Sequence, residues 1–575
     1  MTDVDVAIVG AGPVGLSLSC LLSEAGVSSR LIERRGTLHQ HPQAHVIATR
    51  TMEIFRELGI ADEVAARAPG PEKMAGINWV ESVTGLHLGR LDLTKDVDGI
   101  VERLHASPVF TANLAQNELE PIVLNRAREL GGAQAVTFDA PFSGYEETAD
   151  GVRVCFDGAN GADSFTARYL VGCDGAASAV RRAAGIEMDG PASLEEFVGL
   201  QFEADLTGHL EGRLGPVFWI HAPGFRATLI GYDIAKTWVL MVSRSVFGDA
   251  GVDEDKACEL IRQALGTADV PFSFKAAKLW NMSAQVAQTY RAGPVFLAGD
   301  AAHRFPPTGG LGMNSGIQDA HNLAWKLALV LNGKAPDSLL DSYEAERRPI
   351  AQTYTDHSVH NAADVFRVSQ VIGEFDGPEA VAAGLACLRK GGEEAQALQA
   401  EIDQAIEDQR AHYSFLGLDL GYVYRTGALI ADLDRELPDM VNDRVAATRY
   451  RGRIAEGARF PHVPLNGPAD VKSTLDLVGH GRFTLLTTSQ GAAWIDAARA
   501  LFDDAGLAGD AVMIGPDCAI KLDADVTGAL DRLERCAAIL VRPDGMVGYI
   551  ANANDNPEAA LKEALEAILQ GGAAP

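Results

Sequence analysis

Three glycines and one acid near the start of the chain have the types and spacing of a phosphate-binding turn. Gly10, Gly12 and Gly15 follow an apolar run, and Glu33 stands at the end of the next apolar run. The first glycine permits a tight turn, the second lets backbone approach a pyrophosphate, and the third allows close packing of a helix on a strand. An acid at a strand end suits a ribose diol. The pattern predicts a dinucleotide site; a glycine turn without a ligand is the alternative.

The elements around these residues form a βαβ unit. Residues 4–9 predict a buried strand, Pro13 opens a helix that continues to residue 25, and a second strand ends at Glu33. The helix N-terminus then faces the phosphates. This unit alone leaves the choice between NAD and FAD open.

Two later stretches show the same pattern, in which an apolar strand ends close to an aspartate. They read "GCDGAASAVR", with Asp174, and "GDAAHRFPPTGGLGMNSGIQDAHNLAWKL", with Asp300. Carboxylates at strand ends suit hydrogen bonds to ligand hydroxyls. Each Asp-Gly pair alone would be an ordinary turn signal. The order of the three motifs is far more specific than any one of them.

Together with "GAGPVG" at Gly10, these motifs resemble the single-component flavoprotein aromatic hydroxylases, which share the fold of para-hydroxybenzoate hydroxylase and phenol hydroxylase. "HPQAHVIATRTMEIFRELG" and "LAQNELEPIVLNRARELG" are most similar to the phenol and chlorophenol hydroxylase branch, and bacterial polyketide hydroxylases share much of this pattern. The resemblance implies an FAD-dependent monooxygenase that hydroxylates a phenolic substrate with O2 through a flavin C4a-hydroperoxide. NAD(P)H would bind only transiently as the reductant.

The resemblance also implies the cofactor contacts. Asp300 would bind the ribityl chain, Pro306 would stiffen the loop beside the ring, and the following glycines would bring peptide N–H groups to the flavin pyrimidine. Arg50 is either a phosphate contact or an exposed arginine at a helix start. No residue in the motifs calls for a covalent link, so FAD is expected to be bound non-covalently. The expected FAD contacts are Gly10, Gly12, Pro13, Gly15, Glu33, Arg34, Gln43, Arg50, Gln116, Asp174, Asp300, Pro306, Gly309, Gly310, Gly312, Met313 and Asn314.

A proton acceptor for the substrate is expected near His45. Phenol hydroxylase has an aspartate in the segment that here reads "QAHVI", and this chain has His45 at that place. A neutral imidazole, with an unperturbed pKa of about 6.5, can accept a phenolic proton. The alternative is a polar residue in a strand. Tyr232 and His221, from the sheet expected to cover the flavin, are further catalytic candidates.

The fold class expected is α/β, with a Rossmann-like FAD-binding domain, a β-sheet substrate domain and a C-terminal thioredoxin-like domain. Residues 1–190 and 275–350 would form the FAD-binding domain, 190–275 the substrate sheet, 350–430 a helical segment and 435–575 the thioredoxin-like domain. The last lacks Cys-x-x-Cys, so a subunit contact in a homo-oligomer is expected rather than a redox role.

Composition narrows the partners. The 575 residues carry 49 Lys+Arg against 78 Asp+Glu, a net charge of −29, which argues against nucleic acid and membrane partners. The uncharged run at 6–22 contains three glycines and a proline, so a membrane span is not expected. Seven scattered cysteines indicate a cytoplasmic protein without disulfides or a metal site.

Other functions remain open. The same fold would serve a hydroxylase of a polycyclic polyketide or another natural-product aromatic, or a flavin dehydrogenase. A halogenase is disfavoured because no Trp-x-Trp-x-Ile stretch occurs. A non-catalytic flavin-binding scaffold would bind FAD without substrate-stimulated NAD(P)H oxidation.

Overall fold

The structure is a computed structural model. It describes residues 2–74, 76–132, 135–159, 161–210, 212–248, 251–430, 435–515, 517–522, 533 and 535–572. Three sheets organise this part of the chain, and helices cover them.

The first sheet has a parallel centre. Val4–Val9 pairs with Ser29–Ile32 on one side and with Gly161–Gly172 on the other, and Val295–Leu297 extends the sheet in parallel. Because parallel strands end at the same edge, Gly10, Glu33, Asp174 and Asp300 all follow strands that end there. The strands are Val4–Val9, Ser29–Ile32, Val136–Thr137, Phe142–Thr148, Gly151–Gly158, Gly161–Gly172, Arg291–Ala292 and Val295–Leu297.

The second sheet is mainly antiparallel and includes strands from outside the range expected for it. Gly76–Val80 pairs in parallel with Val217–Ala222 and forms a hairpin with His87–Asp92, so residues 76–92, expected in the FAD-binding domain, contribute strands to the second sheet. A hairpin this early in the chain carries no local mark of the sheet it joins. In spatial order the strands are Ser273–Met282, Glu195–Glu203, Thr237–Ser243, Phe225–Asp233, Val217–Ala222, Gly76–Val80 and His87–Asp92.

The third sheet confirms the thioredoxin-like topology. Phe483–Thr487 pairs in parallel with Gly509–Met513 and antiparallel with Ala538–Val541, which pairs with Val547–Ala551. The helices Ala492–Ala505 and Pro557–Leu569 pack together beside it.

The remaining strands are short and form small separate sheets. These are Met188–Asp189 with Gln285–Ala287 and His303–Arg304, Val46–Ile47 with Ala112–Asn113, and Leu465–Asn466 with Lys521–Leu522. The α-helices are Pro13–Glu24, Thr49–Glu57, Ala61–Arg67, Pro71–Met74, Val97–Ala106, Gln116–Gly131, Ala179–Ala183, Glu254–Leu265, Leu311–Leu331, Asp341–Asp364, Phe366–Val371, Pro378–Lys390, Glu393–Glu407, Arg410–Tyr413, Leu416–Leu420, Arg444–Thr448, Ala492–Ala505 and Pro557–Leu569. Within the described ranges, no helix has the length and apolar character needed to cross a membrane.

Candidate active site

One large cavity lies between the carboxyl edge of the first sheet and a face of the second sheet. Its volume is about 1870 Å³, more than a drug-sized ligand of roughly 300–1,000 Å³ fills. Most of the residues expected at the site line it. These are Gly10, Gly12, Pro13, Glu33, Arg34, Gln43, His45, Gln116, Asp174, Tyr232, Asp300, Pro306, Gly309, Gly310, Gly312 and Met313.

The glycine turn has the shape of a phosphate cradle. Gly10 has a φ of +109°, and a Cβ there would lie 2.4 Å from the carbonyl oxygen of Cys173. A Cβ on Gly15 would lie 2.1 Å from the oxygen of Gly10, so Gly15 packs the helix on the turn and does not itself line the cavity. A Cβ on Gly12 would meet no atom of the described chain within 4 Å. The backbone at Gly12 is therefore open to a group in the cavity.

Two of the expected acids also hold the turns in place. The Glu33 carboxylate accepts hydrogen bonds from the backbone N–H groups of Ala11 at 2.8 Å and of Arg35 at 3.0 Å. The Asp174 carboxylate accepts from the backbone N–H groups of Ala179 at 2.6 Å and of Val180 at 3.1 Å, which begin a helix. Through Ala179 and Val180, Asp174 fixes the turn before this helix. Asp174 also lines the cavity.

Asp300 differs because its carboxylate faces the cavity without a protein partner. Among the described residues, no side-chain hydrogen bond to Asp300 is present, and the residue is exposed to the cavity space. Burial within the surrounding protein raises its pKa, while the charges of His303 and Arg304 oppose the rise. The carboxylate accepts hydrogen bonds and faces the cavity without a partner in the described residues, so a ligand that donates hydroxyl hydrogen bonds fits this position.

The loop that follows delivers a helix end to the cavity. Gly309 and Gly310 have φ values of +98° and +62°, and the 21-residue helix Leu311–Leu331 begins directly after Gly310. No side chain caps its first turn, so its N–H groups and positive end are available to an electron-rich ligand.

Asn314 holds the site together and does not line the cavity. Its Oδ1 accepts from the backbone N–H of Ala48 at 2.8 Å, and its Nδ2 donates to the carbonyls of Val46 at 2.9 Å and Gly310 at 2.7 Å. These bonds occupy the Asn314 side chain, and a cofactor contact through its backbone N–H, in the first turn of Leu311–Leu331, stays a prediction. Its side chain ties the His45 segment to the helix start.

Arg50 does not line the cavity, and its role as a phosphate contact stays a prediction. Its guanidinium donates to Glu53 at 2.9 Å and to the carbonyl of Asp544, in the C-terminal domain, at 2.8 Å. The alternative of an exposed arginine is wrong, because the residue is 4% exposed. The first turn of Thr49–Glu57 directs it into the domain contact.

His45 and Tyr232 form a pair on the cavity wall. Their ring centroids lie 5.2 Å apart at 70°, and Tyr232 Oη donates to the Gln43 carbonyl at 2.6 Å. His45 Nδ1 donates to Asn113 Oδ1, which leaves Nε2 as an acceptor. Burial lowers the pKa of His45, and the bond to Asn113 partly opposes this. Burial raises the pKa of Tyr232. The pair is thus a neutral acceptor beside a protonated phenol.

His221 is not among the residues that line the cavity, and its catalytic role stays a prediction. Its Nδ1 contacts the Glu374 carboxylate at 2.6 Å, and the side chain is 1% exposed. His221 shares a strand face with Trp219, which does line the cavity. The helical segment brings Glu374 over His221 and closes this end of the face.

Sequence reasoning missed several wall residues. Asn113 orients His45 across the short strand pair Val46–Ile47 and Ala112–Asn113, and that pairing was not visible in the motifs. Trp219 Nε1 donates to Tyr413 Oη at 2.7 Å, and both residues line the cavity. Asp419 is a buried acid on the same wall. No metal-binding group of three or more His, Cys, Asp or Glu side chains was found in the described part of the chain.

Comparisons with known proteins agree with this geometry. Residues 3–358 match the FAD binding domain family, and residues 454–571 match the aromatic-ring hydroxylase C-terminal family. The 2,4-dichlorophenol 6-monooxygenase of Cupriavidus pinatubonensis is 34% identical over 96% of this chain and 93% of its own. The phenol 2-monooxygenase of a Pseudomonas species is 30% identical over 98% of this chain and 93% of its own.

Solved structures agree as well. The flavin-dependent monooxygenase PieE, in complex with FAD and substrate, has a TM-score of 0.91 and 33% identity, covering 99% of this chain and 100% of its own. Aklavinone-11 hydroxylase, with FAD and aklavinone, has a TM-score of 0.79 and 30% identity over 99% of both chains. The glycine cradle, the unpaired Asp300 carboxylate and the uncapped helix fit FAD. The chain belongs to the FAD-dependent aromatic-ring hydroxylases, and it is a monooxygenase.

Proposed function

We propose that this enzyme hydroxylates a phenolic substrate with NAD(P)H and O2. The observation that carries the proposal is the open Nε2 of neutral His45, which shares one cavity with Tyr232, Asp300 and the start of Leu311–Leu331. A phenol in this cavity would donate its hydroxyl proton towards His45. The relatives named for phenol and dichlorophenol oxidation support this substrate class.

The residues that would hold FAD divide by the part of the cofactor they meet. Gly12 and Pro13 would meet the pyrophosphate, Glu33 the ribose, and Asp300 the ribityl chain. The N–H groups after Gly310 would meet the pyrimidine of the ring. When bound, FAD supplies the activation of O2 with electrons from NAD(P)H. Attachment would be non-covalent, so acid precipitation should release free FAD, and flavin retained by the precipitate would contradict this.

His45 would act as a general base during oxygen transfer and not as a full proton acceptor beforehand. A phenol has a pKa of about 10, and burial lowers the pKa of His45 below its usual value, so complete transfer of the proton to His45 is uphill. The imidazole can accept the proton as the hydroxyl loses electron density to the ring. Phenols made more acidic by chlorine or nitro groups reduce this gap. We therefore expect such phenols to be the better substrates.

The test compares His45→Ala with His105→Ala, which changes an exposed histidine on Val97–Ala106. His45→Ala should retain FAD and lose substrate-stimulated NAD(P)H oxidation and the +16 product at neutral pH. Partial recovery is expected at a pH where the phenol ionises unaided. If His45→Ala kept wild-type coupling and an unchanged pH profile, His45 would have no part in proton removal.

A second candidate is a polycyclic natural-product aromatic as substrate. The cavity volume of about 1870 Å³ favours it, because FAD and one small phenol would leave space unfilled. Turnover of fused-ring phenols with a kcat/KM no better than that of phenol would count against this candidate.

We further propose that the enzyme is a cytoplasmic homo-oligomer. Scattered cysteines support a reducing compartment. Exposed Val97, Leu104, Phe110 and Val445 offer apolar surface for a subunit contact. Sedimentation of the holoenzyme as a monomer would contradict the oligomer.

A further inference from the structure

Asp419 is a buried acid on the cavity wall with no role in the FAD contacts or the His45–Tyr232 pair. It lies on the short helix Leu416–Leu420 and is 3% exposed. The helix packs against Thr49–Glu57, which follows the His45 segment. The side chain therefore reaches the substrate cavity from an element that the nucleotide motifs do not include.

Only one oxygen of the Asp419 carboxylate is used by the protein. Oδ2 accepts from the backbone N–H of Arg50 at 3.1 Å, and Oδ1 has no hydrogen-bond partner among the residues that the structure describes. Burial raises the pKa of Asp419 to about 7, the Arg50 N–H opposes this, Glu53 adds to it, and the guanidinium charges of Arg459 and Arg50 lower it. An unpaired buried acceptor is unfavourable until a donor occupies it.

Asp419 lies on the cavity wall near the segment that carries His45. Its hydrogen-bond donor Arg50 is five residues after His45, so the Cα atoms of these two residues lie at most roughly 18 Å apart. Thr49, between them, also lines the cavity. One ligand in the cavity can therefore meet both His45 and Asp419.

We propose that Asp419 accepts a hydrogen bond from a second hydroxyl group of an aromatic substrate whose first hydroxyl lies at His45. This rests on the proposed function and narrows its substrate class to aromatics with at least two hydroxyl groups. A site built around a buried acceptor binds an analogue that lacks the donor poorly, because the acceptor is then left unpaired.

The test measures ligand affinity in the FAD-loaded enzyme from the change in flavin absorbance. The probes are 1-naphthol, the 1,5-, 1,6-, 2,6- and 2,7-dihydroxynaphthalenes, and their monomethyl ethers, which replace the second donor by an acceptor. The proteins are wild type, Asp419→Leu, Asp419→Asn and the control Asp356→Asn, which changes an exposed acid outside the cavity lining.

Wild type and the control should bind at least one dihydroxynaphthalene about tenfold or more tighter than 1-naphthol, as expected for a buried charged acceptor. Asp419→Leu should lose this preference. Asp419→Asn can keep an oxygen for the Arg50 N–H and present its NH₂, so it should shift the preference towards the monomethyl ether. That reversal would not arise from a purely structural role.

The proposal is overturned if no isomer is preferred by wild type, or if the preferences in Asp419→Leu and Asp419→Asn stay within about twofold of wild type. It is also overturned if these variants weaken all probes equally, because Asp419 would then only support Thr49–Glu57. Failure of the proposed function is distinguishable, since it would appear as absent ligand-stimulated NAD(P)H oxidation and product in wild type. Binding preferences are measured without turnover.

Discussion

Replacement of Asp300 by asparagine should weaken FAD binding without lowering the stability of the FAD-free protein. In the FAD-free protein the carboxylate has no side-chain partner among the described residues, so Asp300→Asn removes no hydrogen bond within them. With FAD, ribityl hydroxyls would donate to a charged acceptor, and such bonds contribute roughly 1.5–3 kcal/mol each. Asparagine still offers a neutral acceptor, so the loss is about 1–1.5 kcal/mol per bond and should raise the Kd for FAD by roughly 5- to 13-fold.

The effect on the FAD-free protein should have the opposite sign. Burial raises the pKa of Asp300 above its ordinary value of 3.8. The folded state then binds this proton more tightly than the unfolded state, so the ionised carboxylate lowers stability above its unfolded pKa. That loss disappears as pH falls below the folded pKa. Asp300→Asn should therefore leave the Tm of FAD-free protein equal or higher at pH 7, with the difference shrinking towards about pH 4.

The assay is a fluorescence titration of deflavinated protein with FAD, together with thermal unfolding at several pH values. Asp163→Asn is the control, because Asp163 is exposed on a hairpin away from the cavity. The reasoning is refuted if Asp300→Asn binds FAD with unchanged affinity. It is equally refuted if the variant loses stability without FAD, since Asp300 would then be a structural turn residue.

Three other changes test separate parts of the site. Gly12→Ala should fold normally, since its Cβ meets no atom within 4 Å, but the methyl group would occupy the phosphate cradle and weaken FAD in titration. Tyr232→Phe should keep FAD, lose roughly 0.5–1.5 kcal/mol of stability with the bond to Gln43, and raise KM for phenols in steady-state assays. Arg542→Met should lower the free energy of unfolding by roughly 3–5 kcal/mol, because it takes the guanidinium partner from buried Glu346 and Asp544. Unchanged FAD affinity, unchanged KM and unchanged unfolding would contradict these three expectations respectively.

The sequence predicted the residues whose environment is set locally. The glycine turn and Asp300 follow strands of one parallel sheet, so chain order alone brings them to one edge. Apart from Gly15, the expected site residues that do not line the cavity have side-chain partners from distant elements. Arg50 was assigned to phosphate, but its acceptor is the carbonyl of Asp544, 494 residues away. His221 was assigned to catalysis, but Glu374 of the helical segment pairs with it.

Strand periodicity also could not assign residues to a sheet. The hairpin formed by Gly76–Val80 and His87–Asp92 has ordinary strand patterns, and its parallel partner Val217–Ala222 lies more than a hundred residues later. Asp419 was missed for a similar reason. Its short helix contains no recognisable motif, and its exposure to the cavity depends on the contact with Thr49–Glu57.

The C-terminal domain forms buried ion pairs with helices of the FAD-binding part of the same chain. Arg542 donates to Glu346 at 2.8 and 2.9 Å, and Glu346 also accepts from Lys326 at 2.9 Å, on the helix that begins at the cavity. Arg459 pairs in the same way with Glu53, on the helix that follows His45. These charges are buried, so removal of the domain would take the guanidinium partners from Glu346, on Asp341–Asp364, and from Glu53, and would leave these acids with Lys326 and Arg50 respectively. We therefore expect truncation before residue 435 to weaken FAD binding together with folding, whereas a truncated chain that retains FAD affinity would restrict the domain to subunit contact.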